Sequence, residues 1–219
     1  MVELSFISAP QRKIVVFFSP LGTNIFSFTG LVLLTMSVTY FVPLLQAVIE
    51  QQKLAVQISG YGETPQQMLL NTYDGQYYQG LTANASELTL ALIKHTQNHK
   101  AYPVIHYFHN DDKEYNIILE LSKLYKCLVI LENLLSEEHS PKESELRSLN
   151  VAFDNYFKVI TQITNTKKSN NLNITGINTD QLIKNGLAET GKELPKNIQG
   201  LQIFYKLVKN DGWNWENVI

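Results

Sequence analysis

The fold of this chain is decided by the stretch Ile25-Phe-Ser-Phe-Thr-Gly-Leu-Val-Leu-Leu-Thr-Met-Ser-Val-Thr-Tyr-Phe-Val-Pro-Leu-Leu-Gln-Ala-Val-Ile49. It ends a longer run, residues 14–49, that contains no Asp, Glu, Lys, Arg or His. An α-helix rises about 1.5 Å per residue, so about 20 residues cross the roughly 30 Å apolar core of a bilayer. The sequence therefore predicts a transmembrane helix over residues 25–49, with enough length to tilt.

Two other structures could account for an uncharged run. A buried helix of a soluble protein can lack charge, but such helices seldom stay uncharged over this length. A cleaved signal peptide has a shorter apolar core, and no small-x-small cleavage pattern follows Ile49. Both alternatives are weaker than a membrane span.

The predicted span carries small and hydroxyl residues, which allow helices to approach closely and to hydrogen-bond across an interface. They are Ser27, Thr29, Gly30, Thr35, Ser37 and Thr39. A helix that packs around a pore would use Thr35, Thr39 and Pro43 as candidate pore-lining residues, with Pro43 also removing one backbone donor. A single-span anchor would instead satisfy its hydroxyls on its own carbonyls, and composition alone leaves both interpretations open.

Composition limits the function classes. The chain has 219 residues, a net charge of −2 and one cysteine, Cys127. No basic face is indicated, so nucleic acid is not an expected partner, and no polybasic segment flanks the span to indicate binding of lipid headgroups by charge. We find no phosphate-binding glycine loop, nucleophile elbow or paired-carboxylate motif, so we predict that the chain is not an enzyme and uses no cofactor.

Three apolar stripes with helical spacing follow the span, and they predict amphipathic helices that pack on one another. The stripes run through Leu81–His99, Ile117–Leu135 and Leu146–Ile163. The predicted fold class is all-α, with one transmembrane helix followed by a soluble antiparallel helical bundle. The predicted organisation is a short N-terminal segment 1–24, the transmembrane helix 25–49, a linker with a short helix 50–80, a three-helix core 81–165, and a linker with two short helices 166–219.

Local signals place some helix ends. Thr64-Pro65 predicts a helix start with Thr64 as the N-cap, and Ser140-Pro141-Lys142-Glu143 predicts a capping box. Asp111 and Asp112 precede the second stripe and are predicted to cap its helix. Trp213 and Trp215 are expected to dock on the bundle, because a free tail seldom carries two tryptophans.

Four histidines, His95, His99, His106 and His109, lie within 15 residues of sequence. His95 and His99 share one helix face, a spacing that could hold a transition metal. No cysteine or carboxylate lies nearby at ligand spacing, and both histidines fall on the apolar stripe. We therefore predict packed, hydrogen-bonded core histidines and no metal site, with the four histidines as the only candidate ligands.

Four segments together resemble a known family. They are Phe18-Ser-Pro-Leu-Gly22, the end of the uncharged helix Tyr40-Phe-Val-Pro-Leu-Leu-Gln46, the break Ile58-Ser-Gly-Tyr-Gly62 before Thr64-Pro65, and Asn98-His-Lys-Ala-Tyr-Pro-Val-Ile-His-Tyr-Phe108. In this order they resemble the last membrane helix and the cytoplasmic helical domain of bacterial two-transmembrane potassium-channel-like proteins. The resemblance covers roughly residues 18–135.

The resemblance implies a channel-class protein of the bacterial inner membrane, with the domain after Ile49 in the cytoplasm and serving assembly or regulation. The expected partners are the membrane and either further copies of the chain or a pore-bearing subunit. The family's selectivity filter would precede Ser19, where this sequence has no Thr-x-Gly-Tyr-Gly. We therefore expect a truncated channel-like chain that does not conduct alone, with potassium bound only in a longer product. The alternative is a single-span protein with a helical interaction domain and no transport role.

Overall fold

The computed structural model describes residues 20–108, 110–135, 140–164, 180–188, 195 and 198–218. Within these residues the chain is all-α, and it contains no β-strand. One helix is long and apolar enough to cross a membrane, and a helical domain follows it. The α-helices are α1 Pro20–Ser59, α2 Pro65–Thr72, α3 Gln79–Ala101, α4 Ile117–Asn133, α5 Glu143–Ile163, α6 Asp180–Lys184 and α7 Gln199–Asn210.

The chain divides into two compact units between Pro43 and Leu44. In the described part of the first unit, nearly every side chain of α1 from Asn24 to Val42 is exposed, although most of them are apolar. Phe26, for example, is 76% exposed and Leu34 is 63% exposed. In water such a surface would be strongly unfavourable, and in a bilayer it is the expected surface of a spanning helix.

The second unit, residues 44–219, is built around a core of α2 to α5 and α7. Helix α3 packs mainly on α5, whereas α4 packs on α7 and α2. Trp213 and Trp215 pack against this core, as the sequence predicted.

Helix α4 is buried on almost every side, including three charged residues. Glu120, Lys123 and Lys126 are all at most 5% exposed, and Lys123 Nζ lies 2.6 Å from Glu120 Oε1. Burial raises the pKa of Glu120 to about 6 and lowers the pKa of Lys126 to about 8, because both lose hydration. The apolar stripe in the sequence predicted burial of one face of α4 only, and it did not predict that the opposite face is buried as well.

Helix ends were predicted with mixed success. Thr64 caps α2 by accepting a hydrogen bond from Gln67 N, as predicted. Asp111 and Asp112 do not cap α4: the prediction is wrong because the 3₁₀ turn Lys113–Tyr115 intervenes, and Asn116 Oδ1 accepts from Ile118 N and Leu119 N. The capping box at Ser140 is also wrong, since α5 begins at Glu143 after Lys142, which makes no side-chain cap.

Candidate functional site: contacts of the exit segment of α1

The last turns of α1, residues 44–59, belong to the second unit, and we call them the exit segment. One face of the exit segment is buried at intervals of three and four residues, which is the spacing of one helix face. The buried residues are Leu44, Ala47, Gln51, Leu54, Ala55 and Ile58. Helix α1 thus changes from an apolar surface exposed on all sides to an amphipathic helix docked on a protein core.

The exit segment packs on residues 98–108, which we call the 98–108 segment. Helix α3 ends at Ala101 because Pro103 cannot donate a backbone hydrogen bond and disfavours helical geometry at Tyr102. The 3₁₀ turn Pro103–Tyr107 then carries Ile105, whose side chain is fully buried. Ile105 forms a small separate core with Leu44 and Ala47 of the exit segment.

Two polar contacts join the same elements. Asn98 Nδ2 donates to Glu50 Oε2 at 2.8 Å, and Gln51 Nε2 donates to the Phe108 carbonyl oxygen at 3.3 Å. Lys94 Nζ also approaches Glu50 Oε1 at 3.9 Å, but the Lys94 side chain is 56% exposed and the separation is long, so this pair adds little. The exit segment is therefore fixed by apolar packing and by two hydrogen bonds to one segment of chain.

The histidines form a row behind this contact. The His95 and His99 rings meet edge to face with centroids 4.4 Å apart, and the His106 ring lies 6.0 Å beyond His99. His95 also stacks on Tyr156 of α5 at 5.8 Å. The prediction of packed core histidines is confirmed for His95 and His99, which are 3% and 2% exposed, while His109 lies outside the described residues.

Their hydrogen bonding differs from the prediction. His99 Nδ1 lies 3.3 Å from the His95 carbonyl oxygen, but both ring nitrogens of His95 lack a partner in the described structure. Burial lowers the pKa of His95 well below its usual value and lowers the pKa of His99 to about 4, with the neighbouring imidazoles acting in the same direction. The two buried rings are therefore neutral near pH 7.

A small polar cavity lies beside the row. It is lined partly by Gln51, His99, His106, Asn116 and Asp211, and its volume of about 10 Å³ has room for about one water molecule. Asn116 Nδ2 donates to Asp211 Oδ2 at 2.7 Å, which joins the start of α4 to the end of α7. Among the described residues, no group of three or more His, Cys, Asp or Glu is placed to hold a metal ion.

The candidate pore-lining residues lie on α1. Thr35 and Thr39 belong to the exposed first unit, and their hydroxyls donate to the carbonyl oxygens of Leu31 and Thr35 at 2.8 and 2.9 Å. Pro43 is inside α1, which continues past it. The two hydroxyls thus donate within their own helix, as expected for a single-span anchor. Their oxygen lone pairs can still accept a hydrogen bond from a neighbouring helix.

Sequence reasoning did not single out Glu50, Gln51 or Ile105, which make the contacts of the exit segment. Gln51 could have been found, because it is a polar residue at the 47, 51, 54 spacing of an otherwise apolar face. Its partner is a backbone carbonyl 57 residues away, and no sequence pattern identifies such a partner.

No protein-family model matches the chain, and no solved structure matches it. The chain is similar to a Bacillus subtilis (strain 168) protein named "Uncharacterized membrane protein YdjJ", with 24% identity over 131 residues. The match covers 60% of this chain and 38% of that protein, so the chain spans well under half of the relative's length. This relative and the exposed apolar helix α1 together support a membrane location for the chain.

Proposed function

We propose that the chain contributes the last membrane helix and the helical domain of a potassium-channel-like membrane assembly, with the domain in the cytoplasm of a bacterial cell. In this proposal the domain binds the end of the helix and serves assembly or regulation, and the chain carries no enzymatic activity. The chain alone does not select potassium, because selection requires a loop of carbonyls held in a pore.

The observation that carries the proposal is a contact between two segments that the sequence separates by more than 50 residues. The resemblance to the channel-like family rests partly on Tyr40–Gln46 and partly on the 98–108 segment. In the structure Leu44 packs on Ile105, so residues from both segments meet in one small core. A shift of the 98–108 segment would therefore act directly on the end of α1.

The second candidate is a membrane-anchored helical interaction domain without a transport role. The hydroxyls of Thr29, Thr35, Ser37 and Thr39 favour it, because each donates to a carbonyl oxygen of α1 itself. Such bonding makes α1 self-sufficient in lipid and requires no neighbouring helix.

The two candidates differ in oligomeric state, because one helix per chain can line a pore only when several chains assemble. We would count subunits by single-molecule photobleaching of the full chain in supported bilayers. The proposal expects several bleaching steps for each spot, and a population of single-step spots would favour the anchored interaction domain.

Gly30→Leu provides a matched test of helix association. A Cβ on Gly30 would meet nothing within 4 Å in its own chain, so the substitution disturbs only contacts with other molecules. If α1 helices pack through their small residues, Gly30→Leu should reduce the number of steps, whereas Val32→Leu on the opposite face should not. Equal counts for both variants and the parent would exclude packing through this face.

A further inference from the structure

The second unit contains a cleft between the exit segment and α3 that is separate from the polar cavity. Its volume is about 240 Å³, somewhat below that of a pocket that encloses a drug-sized ligand. The apolar part of its lining includes Leu54, Leu90 and Ala91, and Leu90 is 66% exposed. The cleft can therefore hold part of a larger apolar molecule but cannot enclose one.

The charges around the cleft cancel. The exit segment contributes Glu50 and Lys53, and α3 contributes Glu87 and Lys94. Glu50 is engaged by Asn98 and Lys94, as described above. Lys53 and Glu87 make no ion pair within 4 Å among the described residues, so one cation and one anion remain to bind opposite charges on a ligand.

The place of the cleft along α1 fits the headgroup layer of a membrane. Glu50 is the first charged residue after the uncharged run, and Leu54 lies about 6 Å beyond it along the helix axis. Each headgroup layer is roughly 5–8 Å thick, from the difference between the whole bilayer and its apolar core. Leu45 and Ile49, which are 52% and 64% exposed, continue the apolar surface of α1 up to this level.

We propose that the cleft binds a zwitterionic glycerophospholipid with a primary ammonium, of the phosphatidylethanolamine type. The phosphate lies between Lys53 and Lys94, the ammonium donates to Glu87, and the first part of an acyl chain lies on Leu54 and Leu90. A primary ammonium donates hydrogen bonds to a carboxylate, whereas a quaternary ammonium has none to donate. The absence of a basic cluster after the span, where Lys53 stands alone, favours a zwitterionic headgroup over an anionic one.

His95 is the second observation that points to a ligand. It lines the cleft and is only 3% exposed. Its two ring nitrogens have no hydrogen-bond partner in the described structure. A neutral imidazole offers one donor and one acceptor. A glycerol ester carbonyl at the inner end of the cleft would be an acceptor for the imidazole N–H after a small ring movement.

The proposal is tested by native mass spectrometry of the full chain, purified in detergent and titrated with lipids of equal acyl chains. Phosphatidylethanolamine should form a one-to-one adduct about tenfold more tightly than phosphatidylglycerol or phosphatidylcholine. Soluble phosphoethanolamine at the same concentration should not displace it. Equal binding of the three lipids would overturn the headgroup assignment, and displacement by phosphoethanolamine would assign the site to a soluble phosphate instead.

Exposed substitutions keep the test independent of folding. Glu87→Gln should weaken the phosphatidylethanolamine adduct about tenfold, and Leu90→Gln should weaken it as well. The matched controls are Glu145→Gln and Val151→Gln on α5, which are also exposed and do not line the cleft. The proposal is wrong if each variant behaves like its control.

This inference depends on the membrane part of the proposed function, and the two fail in different ways. Carbonate extraction of membranes from the same cells reports on the span alone. If the chain is extracted, the membrane assignment fails. If the chain resists extraction but binds no phosphatidylethanolamine, only the lipid site fails.

Discussion

Ile105→Ala should destabilise the second unit and loosen its hold on the exit segment. Ile105 is fully buried and packs on Leu44 and Ala47, so truncation removes apolar contacts and leaves a cavity between two elements. Comparable substitutions cost about 2–5 kcal/mol. Each kcal/mol lowers the melting temperature by about 2–4 °C in a domain of 150–250 residues, so the expected decrease is roughly 4–20 °C.

The assay is thermal unfolding of the full chain in detergent, followed by tryptophan fluorescence. Trp213 and Trp215 pack against the core of the second unit and report its unfolding. The matched control is Val104→Ala, because Val104 is the neighbouring residue and is 40% exposed. The control should change the free energy of unfolding by no more than about 0.5 kcal/mol.

Hydrogen exchange separates a local effect from a global one. Ile105→Ala should speed exchange of backbone amides in the exit segment more than in α5, because only the exit segment loses its packing partner. Equal melting temperatures for Ile105→Ala and Val104→Ala, or uniform acceleration throughout the second unit, would refute the idea that Ile105 holds the end of α1.

Three further predictions follow from the span, the histidines and a close helix contact. Leu34→Arg should cost about 2.5–3.5 kcal/mol of apparent insertion energy at the centre of the span, measured as a reduced membrane-integrated fraction, whereas Leu34→Ile should leave that fraction unchanged. The pKa of His99 is lowered from 6.5 to about 4, so between these pH values the unfolded chain binds a proton that the folded chain does not. The free energy of unfolding should therefore fall by about 3 kcal/mol from this residue as the pH is lowered from about 6.5 to about 4. His99→Gln should reduce this pH dependence in thermal melts across the range, and an unchanged pH dependence would contradict the assignment. Gly200→Ala should destabilise the fold by about 1–3 kcal/mol, because its Cβ would overlap the Tyr125 ring. Gly60→Ala is the control: its Cβ would lie 3.5 Å from the nearest atom, so it should lower the melting temperature much less.

The pH slope has an opposing contribution that can be isolated. Glu120 has its pKa raised from 4.5 to about 6, so the folded chain binds the extra proton there, and its stability contribution is lost as pH rises through that window. The pKa of His95 is also lowered, so its effect on the pH dependence of stability has the same sign as that of His99. The loss of stability from the two histidines on acidification is therefore larger than the gain from Glu120. Glu120→Gln should therefore steepen the loss of stability on acidification.

The sequence allowed much of the fold to be predicted because helical periodicity and the uncharged run are local signals. The start of α2 was predicted from Thr64-Pro65, since an N-cap is a contact of three residues. The cap of α4 was missed because Asp111 and Asp112 are good capping residues that stand about one turn too early, before the exposed 3₁₀ turn Lys113–Tyr115. Asn116, directly before the apolar Ile117-Ile-Leu, was the available signal.

The contacts of the candidate site depend on distant pairs and could not be predicted in the same way. Ile105 lies in a segment with no helical period, yet it is fully buried because it packs on Ala47 of α1, 58 residues earlier in the chain. The buried charges of α4 show the same limit, because Glu120 and Lys123 stand outside the apolar stripe and are nevertheless buried, in a helix that packs on both α2 and α7.

The last turns of α1 belong to the second unit and form part of its core. A simple anchor needs only an apolar span and a linker, and a glycine- or serine-rich linker would allow the domain to move freely. Here α1 continues as one helix to Ser59, and its last turns bury Leu54, Ala55 and Ile58 in the main core of the second unit. The chain turns directly after this docked part, at Gly60 and at Gly62, where φ is +152° and a Cβ would lie 2.8 Å from Met68 N. The turn at Gly62 thus follows the docked residues, so a substitution that loosens Leu54 or Ile58 should open the main core of the second unit itself.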